Sequence, residues 1–254
     1  MKSALIAIDI GNTNITAGVF KAGRLSAKVK IPTCVYSKYE SGLARLFKKG
    51  GLGFADGEAV IVSSVVPIAL ARLIMHLNRI ARCRITVLGR DMQVPIKNLY
   101  RIKKEVGQDR LVNAYAAKVL YGAPAVVIDF GTAVTFDLVS KRGDYMGGLI
   151  MPGIGISLSS LYEKTALLPK VELKDAPHII GKSTANSMRA GILYGFGAMC
   201  DGLVLKYRKV LGGSLKVIAT GGNAGLIKKY SGSIRILDED LTLKGLLLIS
   251  QLKT

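Results

Sequence analysis

The sequence Asp9-Ile10-Gly11-Asn12-Thr13-Asn14-Ile15-Thr16 follows directly on the apolar run 4–8, and the same plan returns 120 residues later at 129–135. The second copy reads Asp-Phe-Gly-Thr-Ala-Val-Thr and also follows an apolar run. Each copy predicts a buried strand that ends in an acid and a glycine, then polar side chains, then a β-branched strand. A repeat near half the chain length predicts two similar α/β domains with a cleft between them, which we place at 1–112 and 113–254.

The remaining hydrophobic patterns place further elements around the two copies. Strands are predicted at 4–9, 15–20, 25–31, 59–66, 84–88, 125–130, 134–138, 144–149 and 216–220. Helices are predicted at 40–48, 67–80, 110–120, 154–162, 183–207 and 241–252. Strands alternating with helices are typical of an α/β fold.

The composition indicates a globular protein, because half of the residues are apolar and 21% are charged. The apolar start of the chain is too short for a signal peptide, and we expect no run of the ~18 residues that a membrane span needs. Cys34, Cys83 and Cys200 are widely spaced and fit no metal or disulfide framework. A cytoplasmic location is the simplest expectation.

The charge is unusual, with 36 Lys and Arg against 17 acids and a net charge of +19. Such a surface attracts anions, so nucleic acid is the first partner to consider. The basic residues, however, are spread along the whole chain, and there is no Trp and no aromatic cluster that could stack bases. We interpret the charge as a diffusely basic surface and do not expect nucleic-acid binding as the main function.

The two repeated turns suit a nucleotide phosphate. Their glycines allow a tight turn whose backbone N–H groups can point at phosphate oxygens, and Asn12, Thr13 and Thr132 add neutral donors. Asp9 and Asp129 would repel phosphate, so their sensible role is to hold cations, usually Mg²⁺, that bridge to it. One such turn is often an ordinary strand end, whereas two matched copies favour a triphosphate clamp.

The motifs together resemble the type III pantothenate kinases, within the superfamily of actin-like ATPases, sugar kinases and heat-shock ATPases. They are Val-Ser-Ser-Val-Val-Pro at 62–67, Gly-Gln-Asp-Arg at 107–110, Gly-Gly-Leu-Ile-Met-Pro-Gly at 147–153, Gly-Lys-Ser-Thr at 181–184 and Thr-Gly-Gly-Asn-Ala at 220–224. The resemblance spans essentially the whole chain. It implies duplicated actin-like ATPase domains of the ribonuclease H-like type.

The resemblance also implies a reaction, the transfer of the γ-phosphate of ATP to pantothenate at the start of coenzyme A synthesis. It places ATP with Mg²⁺ on Asp9–Thr16 and Thr132, and the general base at Asp109, where a carboxylate can accept the hydroxyl proton. Asp9 is the candidate Mg²⁺ ligand. Asp129 matches the family's site for a monovalent cation, K⁺ or NH₄⁺.

On the acceptor side, the resemblance implies that pantothenate contacts Tyr100, Gly107, Gln108, Asp109, Arg110 and Thr184. A guanidinium at Arg110 can pair with the carboxylate of pantothenate or steady the phosphoryl group. The family also implies a homodimer in which Thr184 reaches the neighbouring subunit's site. Without the resemblance, Tyr100 would be a packing residue and Thr184 a helix N-cap.

Two departures from the family pattern affect this side of the site. Ile102-Lys103 stands where an Asn-Pro pair is usual, and Asn186 stands where an acid is commoner. Two other functions stay open: a related small-molecule kinase with another acceptor, and a nucleic-acid-binding regulator with a kinase-like fold. The acids at 9, 109 and 129 favour an active enzyme.

Overall fold

The computed structural model describes residues 4–52, 59–80, 84–176, 178–212 and 214–252; Cys83 lies outside these ranges. The strands are β1 (Leu5–Ile10), β2 (Asn14–Lys21), β3 (Arg24–Pro32), β4 (Ala59–Ser64), β5 (Ile85–Val87), β6 (Ala125–Phe130), β7 (Ala133–Val139), β8 (Tyr145–Pro152), β9 (Lys216–Thr220) and β10 (Ile236–Leu237). The helices are α1 (Lys38–Gly50), α2 (Pro67–Ile80), α3 (Gln108–Tyr121), α4 (Ile154–Glu163), α5 (Thr184–Leu211), α6 (Ala224–Lys228) and α7 (Leu241–Ser250), with a 3₁₀ turn at Lys103–Glu105.

The chain divides into two compact units. Unit 1 contains the residues up to Ile96, Arg101–Ala116 and the residues from Leu241 onward, and unit 2 contains Lys97–Tyr100 and Ala117–Asp240. This division differs from the predicted boundary between residues 112 and 113, because α3 runs through the boundary and α7 belongs to unit 1. Helix α7 packs on β1 and β4 and buries Leu243 and Leu246. The end of the chain therefore completes the core around its beginning.

Unit 1 is built on a five-stranded sheet in the order β3-β2-β1-β4-β5. Strand β1 pairs antiparallel with β2 and parallel with β4. Its alternate residues Ile6, Ile8 and Ile10 share a core with apolar side chains of α1 and α2, while α7 contacts the strand as well. Strand β4 contains the continuous apolar run Val-Ile-Val, and these residues are buried on both faces of the sheet. Both features are typical of an inner parallel strand.

Unit 2 repeats this plan with the sheet order β10-β9-β6-β7-β8. Strand β6 pairs antiparallel with β7 and parallel with β9. Val126, Ile128 and Phe130 of β6 share a core with Leu193 and Val204 of α5.

The internal repeat predicted from the sequence is confirmed by the pairing partners of Asp9 and Asp129. Asp9 lies opposite Thr16 on β2 and Ser63 on β4, and Asp129 lies opposite Thr135 on β7 and Thr220 on β9. The two acids therefore occupy equivalent places at the carboxyl end of equivalent strands. This confirms the predicted α/β class with duplicated domains.

The predicted elements were confirmed with small differences at their ends, and several short features were missed. The short elements α6 and β10 carry too few residues for a periodic signal. The segment 97–99 lies beside β8, bridging through Asn98 and Tyr145. Helix α3 begins at Gln108 instead of Arg110, which puts Asp109 in its first turn.

Helix α5 also differs from the expectation that no segment approaches the length of a membrane span. Among the described residues it is long and apolar enough to cross a membrane by length and composition alone, with 39% of its most apolar 18-residue stretch buried inside the structure. Core helices of soluble proteins have the same length and composition. The helix is therefore weak evidence for a membrane segment.

Candidate active site

The first predicted phosphate turn is the tight connection between β1 and β2. The Gly11 amide donates to the Asn14 carbonyl at 3.1 Å, which closes the turn. The side chains of Asn12, Thr13 and Asn14 are exposed, whereas Ile10 and Ile15 are buried. The polar side chains of this turn are therefore accessible to a ligand, while the two isoleucines can offer only backbone groups.

Thr33 holds this turn in place, a role that the sequence did not reveal. Its hydroxyl donates to the Gly11 carbonyl at 2.7 Å, and its amide donates to the Thr13 carbonyl at 3.0 Å. Thr33 follows β3 and is almost fully buried. Because its two bonds join residues 22 and 20 positions apart, no local pattern could have identified it.

The Gly107–Arg110 motif lies at the start of α3, in unit 1. A Cβ atom on Gly107 would lie 2.5 Å from Oδ1 of Asp109 and 3.3 Å from Cγ1 of Val65. A Cβ atom on Gly89, whose φ is +83°, would lie 3.0 Å from Cδ of Gln108. The two glycines thus let the motif pack tightly against the segment that follows β4 and against the loop after β5.

Burial raises the pKa of the Asp109 carboxyl. The amide of Arg110, which donates to Oδ1 at 2.9 Å, and the charge of its guanidinium act in the opposite direction and are weaker. Desolvation disfavours the charged carboxylate, so Asp109 is a stronger base than an exposed aspartate. Such a shift is a common property of residues that transfer protons.

In unit 2, Asp129 lies in a cradle formed by glycines. A Cβ atom on Gly221 would lie 2.5 Å from Oδ1 of Asp129, and one on Gly131 would lie 3.5 Å from the same oxygen. Gly221 also has φ of +90°, which L side chains rarely adopt. The absence of a side chain at Gly221 makes room for the Asp129 carboxylate at the end of its strand, and a carboxylate is a suitable ligand for a cation.

Thr132, the predicted ATP contact of this unit, is exposed in the turn between β6 and β7. Its backbone is approached closely by Gly153, where any Cβ would collide with the Thr132 carbonyl oxygen. Gly153, the last residue of the Gly-Gly-Leu-Ile-Met-Pro-Gly motif, connects β8 to α4 against this turn. There is no room for a side chain at this position.

Tyr100 is half-buried in unit 2, beside the edge strand β8. Its amide donates to Oδ1 of Asn98 at 2.9 Å. Its ring lies on the backbone of Gly147, where a Cβ would come within 3.2 Å of Cδ2. Ile102-Lys103, the departure from the family pattern, leads from this segment into the 3₁₀ turn.

Thr184 is the first residue of α5 and is exposed. The N-cap is Ser183, whose hydroxyl accepts from the Asn186 amide at 3.3 Å, so the alternative interpretation of Thr184 as the cap was wrong. The Thr184 hydroxyl is not needed as the cap.

Within the described ranges, no group of three or more His, Cys, Asp or Glu side chains forms a metal site. Mg²⁺ beside a nucleotide is usually held by one or two carboxylates together with the phosphates themselves. A single carboxylate in each turn fits a metal site of that kind.

Comparison with known proteins identifies the family. The type III pantothenate kinase family matches residues 5–206. The chain is 42% identical over 248 residues to the type III pantothenate kinase of Myxococcus xanthus, covering 96% of this chain and 97% of the relative. It is 38% identical to that of Moorella thermoacetica, covering 98% and 100%.

Solved structures support the fold. A Campylobacter jejuni protein assigned to the Baf family of transcriptional activators aligns over 96% of both chains, with a TM-score of 0.62 and 18% identity. Component A of the (R)-2-hydroxyglutaryl-CoA dehydratase of Acidaminococcus fermentans aligns over 97% of this chain and 96% of its own, with a TM-score of 0.53 and 13% identity. The predicted actin-like fold is confirmed, and the family match and full-length relatives together show that the chain belongs to the type III pantothenate kinase family.

Proposed function

We propose that this chain carries out the family's reaction, the ATP-dependent phosphorylation of pantothenate in coenzyme A biosynthesis, with Asp109 as the general base. The family match supports the reaction. The single structural observation that carries the assignment of the base is the placement of the half-buried Asp109 carboxyl in the first turn of α3, where desolvation raises its pKa. A carboxylate with a raised pKa can take the hydroxyl proton as the oxygen attacks the γ-phosphorus.

For the nucleotide, we propose that the turn Asp9–Thr16 and Thr132 are the ATP contacts. The exposed polar side chains and constrained backbone of both turns support this assignment. Asp9 is the proposed Mg²⁺ ligand, placed at a strand end next to the turn. When bound, a divalent ion neutralises charge that develops on the phosphates.

For the acceptor, Arg110 is proposed to pair with the carboxylate of pantothenate. Only 7% of this residue is exposed, and a largely desolvated guanidinium forms stronger bonds to carboxylates than an exposed one. Tyr100 and Thr184 are the remaining proposed contacts, together with the backbone of Gly107 and Gln108.

We further propose a cytoplasmic homodimer in which Thr184 serves the partner's site. Ile179 and Ile180, just before α5, are 68% and 74% exposed. They line a cavity of about 670 Å³ together with Lys182, Asn186 and Tyr194. Exposed apolar side chains of this size support a protein–protein contact at this place.

A coupled assay of ADP release tests the proposed function. Release should depend on pantothenate, and other primary alcohols of similar size should not replace it. ADP release with another acceptor only would favour a related kinase. Tight, sequence-specific DNA binding at physiological salt, without kinase activity, would favour the regulator, since binding by a diffusely basic surface weakens steeply with salt.

Asp129 is proposed to hold K⁺ or NH₄⁺, which predicts a cation requirement. Turnover should be low in sodium or choline chloride and rise when potassium chloride replaces them at equal ionic strength. Asp129→Asn should abolish the activation, because the amide carries no charge to attract the ion. Equal turnover in the three salts would contradict the assignment.

A further inference from the structure

Asp137 is a fully buried acid in the middle of β7 that the proposed reaction does not use. Its two carboxyl oxygens accept two different hydroxyls: Oδ2 accepts from Thr135 Oγ1 at 2.9 Å, and Oδ1 accepts from the Tyr145 hydroxyl at 2.9 Å. Burying a carboxylate is costly unless its oxygens are hydrogen-bonded. Removing a donor from a buried carboxyl group costs free energy, so the hydroxyls of Thr135 and Tyr145 are held in place.

The Thr135 bond leads towards Asp129. Thr135 lies directly opposite Asp129 in the antiparallel pair of β6 and β7, so the two side chains are neighbours on one face of the sheet. The hydroxyl hydrogen of Thr135 is donated to Asp137, which leaves the lone pairs of its oxygen as acceptors. Asp137 therefore sets the orientation of an oxygen beside the proposed cation site.

The Tyr145 bond leads towards Tyr100. The Tyr145 amide donates to the Lys97 carbonyl at 2.8 Å, and the Leu99 amide donates to the Tyr145 carbonyl at 2.9 Å. Tyr145 is fully buried, so its ring and hydroxyl have little freedom. The segment 97–100 is therefore attached to unit 2 through the residue that Asp137 holds.

We infer that Asp137 is a positioning residue that couples occupancy of the cation site at Asp129 to the order of the segment carrying Tyr100. The coupling passes through Thr135 on one side and Tyr145 on the other. It rests on the proposed cation site, and it adds a consequence: Asp129 and the Thr135 oxygen would hold the cation, whose charge would strengthen the donation from Thr135 to Asp137 and so fix the position of the carboxyl group that accepts from Tyr145. The segment 97–100, which carries the proposed acceptor contact Tyr100, would then be held more firmly on Tyr145.

Hydrogen–deuterium exchange tests this without relying on activity. Potassium chloride is added to the full-length protein, with choline chloride of equal ionic strength as the reference. In the wild type, potassium should slow exchange of the Leu99 and Tyr145 amides about fivefold or more. Tyr145→Phe and Thr135→Val each remove one hydroxyl from Asp137 and should lose the slowing, while Thr135→Ser keeps the hydroxyl and should retain it.

Tyr121→Phe is the matched control. The Tyr121 hydroxyl donates to Oδ2 of the buried Asp238 at 2.6 Å, so this variant also deletes a tyrosine–carboxylate bond within unit 2. The free energy of unfolding of Tyr121→Phe should fall about as much as that of Tyr145→Phe. Potassium should still slow exchange of the Leu99 and Tyr145 amides in Tyr121→Phe. Equal slowing in Tyr145→Phe and Tyr121→Phe, or no slowing in the wild type, would overturn the coupling.

Kinetics separate this inference from the proposed function. Tyr145→Phe should raise the pantothenate KM and the potassium concentration for half-maximal activity, with a smaller change in the ATP KM. Wild-type protein that does not phosphorylate pantothenate would overturn the proposed function, and the exchange experiment would still decide the coupling.

Discussion

Replacing Asp109 by asparagine is expected to lower kcat by roughly 10²- to 10⁴-fold. The amide keeps the shape of the side chain and can still accept the bond from the Arg110 amide, but it cannot take a proton. The ATP KM should hardly change, since the proposed nucleotide contacts are elsewhere. Steady-state kinetics with pantothenate and ATP varied separately provide the measurement.

Glu105→Gln is the matched control, because it makes the same chemical change at an exposed position four residues earlier. It should leave kcat and both KM values unchanged. Arg110→Ala should raise the pantothenate KM as well as lower kcat, which separates positioning from proton transfer. A near-normal kcat in Asp109→Asn would remove Asp109 from the mechanism, and phosphoryl transfer would then need no base.

Stability should change in the direction opposite to activity in the Asp109→Asn variant. Because burial raises the pKa of Asp109 in the folded protein, ionisation of this group opposes folding. Its favourable contribution is complete below the pKa of the unfolded chain and is lost as the pH rises through the folded-state pKa. The variant should therefore have a higher Tm than the wild type near pH 7, and this advantage should shrink in acid. A lower Tm at neutral pH would contradict it.

Among substitutions of the glycines in unit 2 by alanine, Gly221→Ala is expected to weaken cation binding at Asp129 the most. An alanine forced to adopt the φ of +90° found at Gly221 destabilises the folded protein by about 1–2 kcal/mol. The new Cβ would also lie 2.5 Å from Oδ1 of Asp129 and 2.7 Å from the backbone carbon of Phe130, and such overpacking costs about 1–3 kcal/mol more. The potassium concentration for half-maximal activity should rise by roughly tenfold, equivalent to about 1.4 kcal/mol.

Gly122→Ala isolates the backbone strain from the collision. Gly122 has φ of +89°, and an added Cβ would have no heavy atom of the described residues within 4 Å, its two chain neighbours aside. The free energy of unfolding of Gly122→Ala should fall by only about 1–2 kcal/mol, measured by chemical unfolding, because the change adds backbone strain alone. Its kcat and KM values should stay those of the wild type. Equal kinetics in both alanine variants would mean that the space beside Asp129 is not used.

Much of the site could be predicted from local sequence. The repeated strand–acid–glycine turns were confirmed because strand periodicity and turn composition are properties of adjacent residues. The Gly107–Arg110 motif was found by resemblance, but the structure put its acid in the first turn of α3 and against the segment after β4. The support of the first turn by Thr33 had no local signal, since its partners are distant in sequence.

The sequence by itself determined the two matched halves, the acid at the end of the first strand of each, and the family to which the motifs belong. Only the tertiary structure decided that α7 completes the core of unit 1, that segment 97–100 joins the sheet of unit 2, and that Asp137 holds both Thr135 and Tyr145. It also decided the raised pKa of Asp109. The physical reason is common to all four: desolvation and long-range hydrogen bonds depend on which distant residues surround a group, whereas periodicity and turn chemistry depend on the residues beside it.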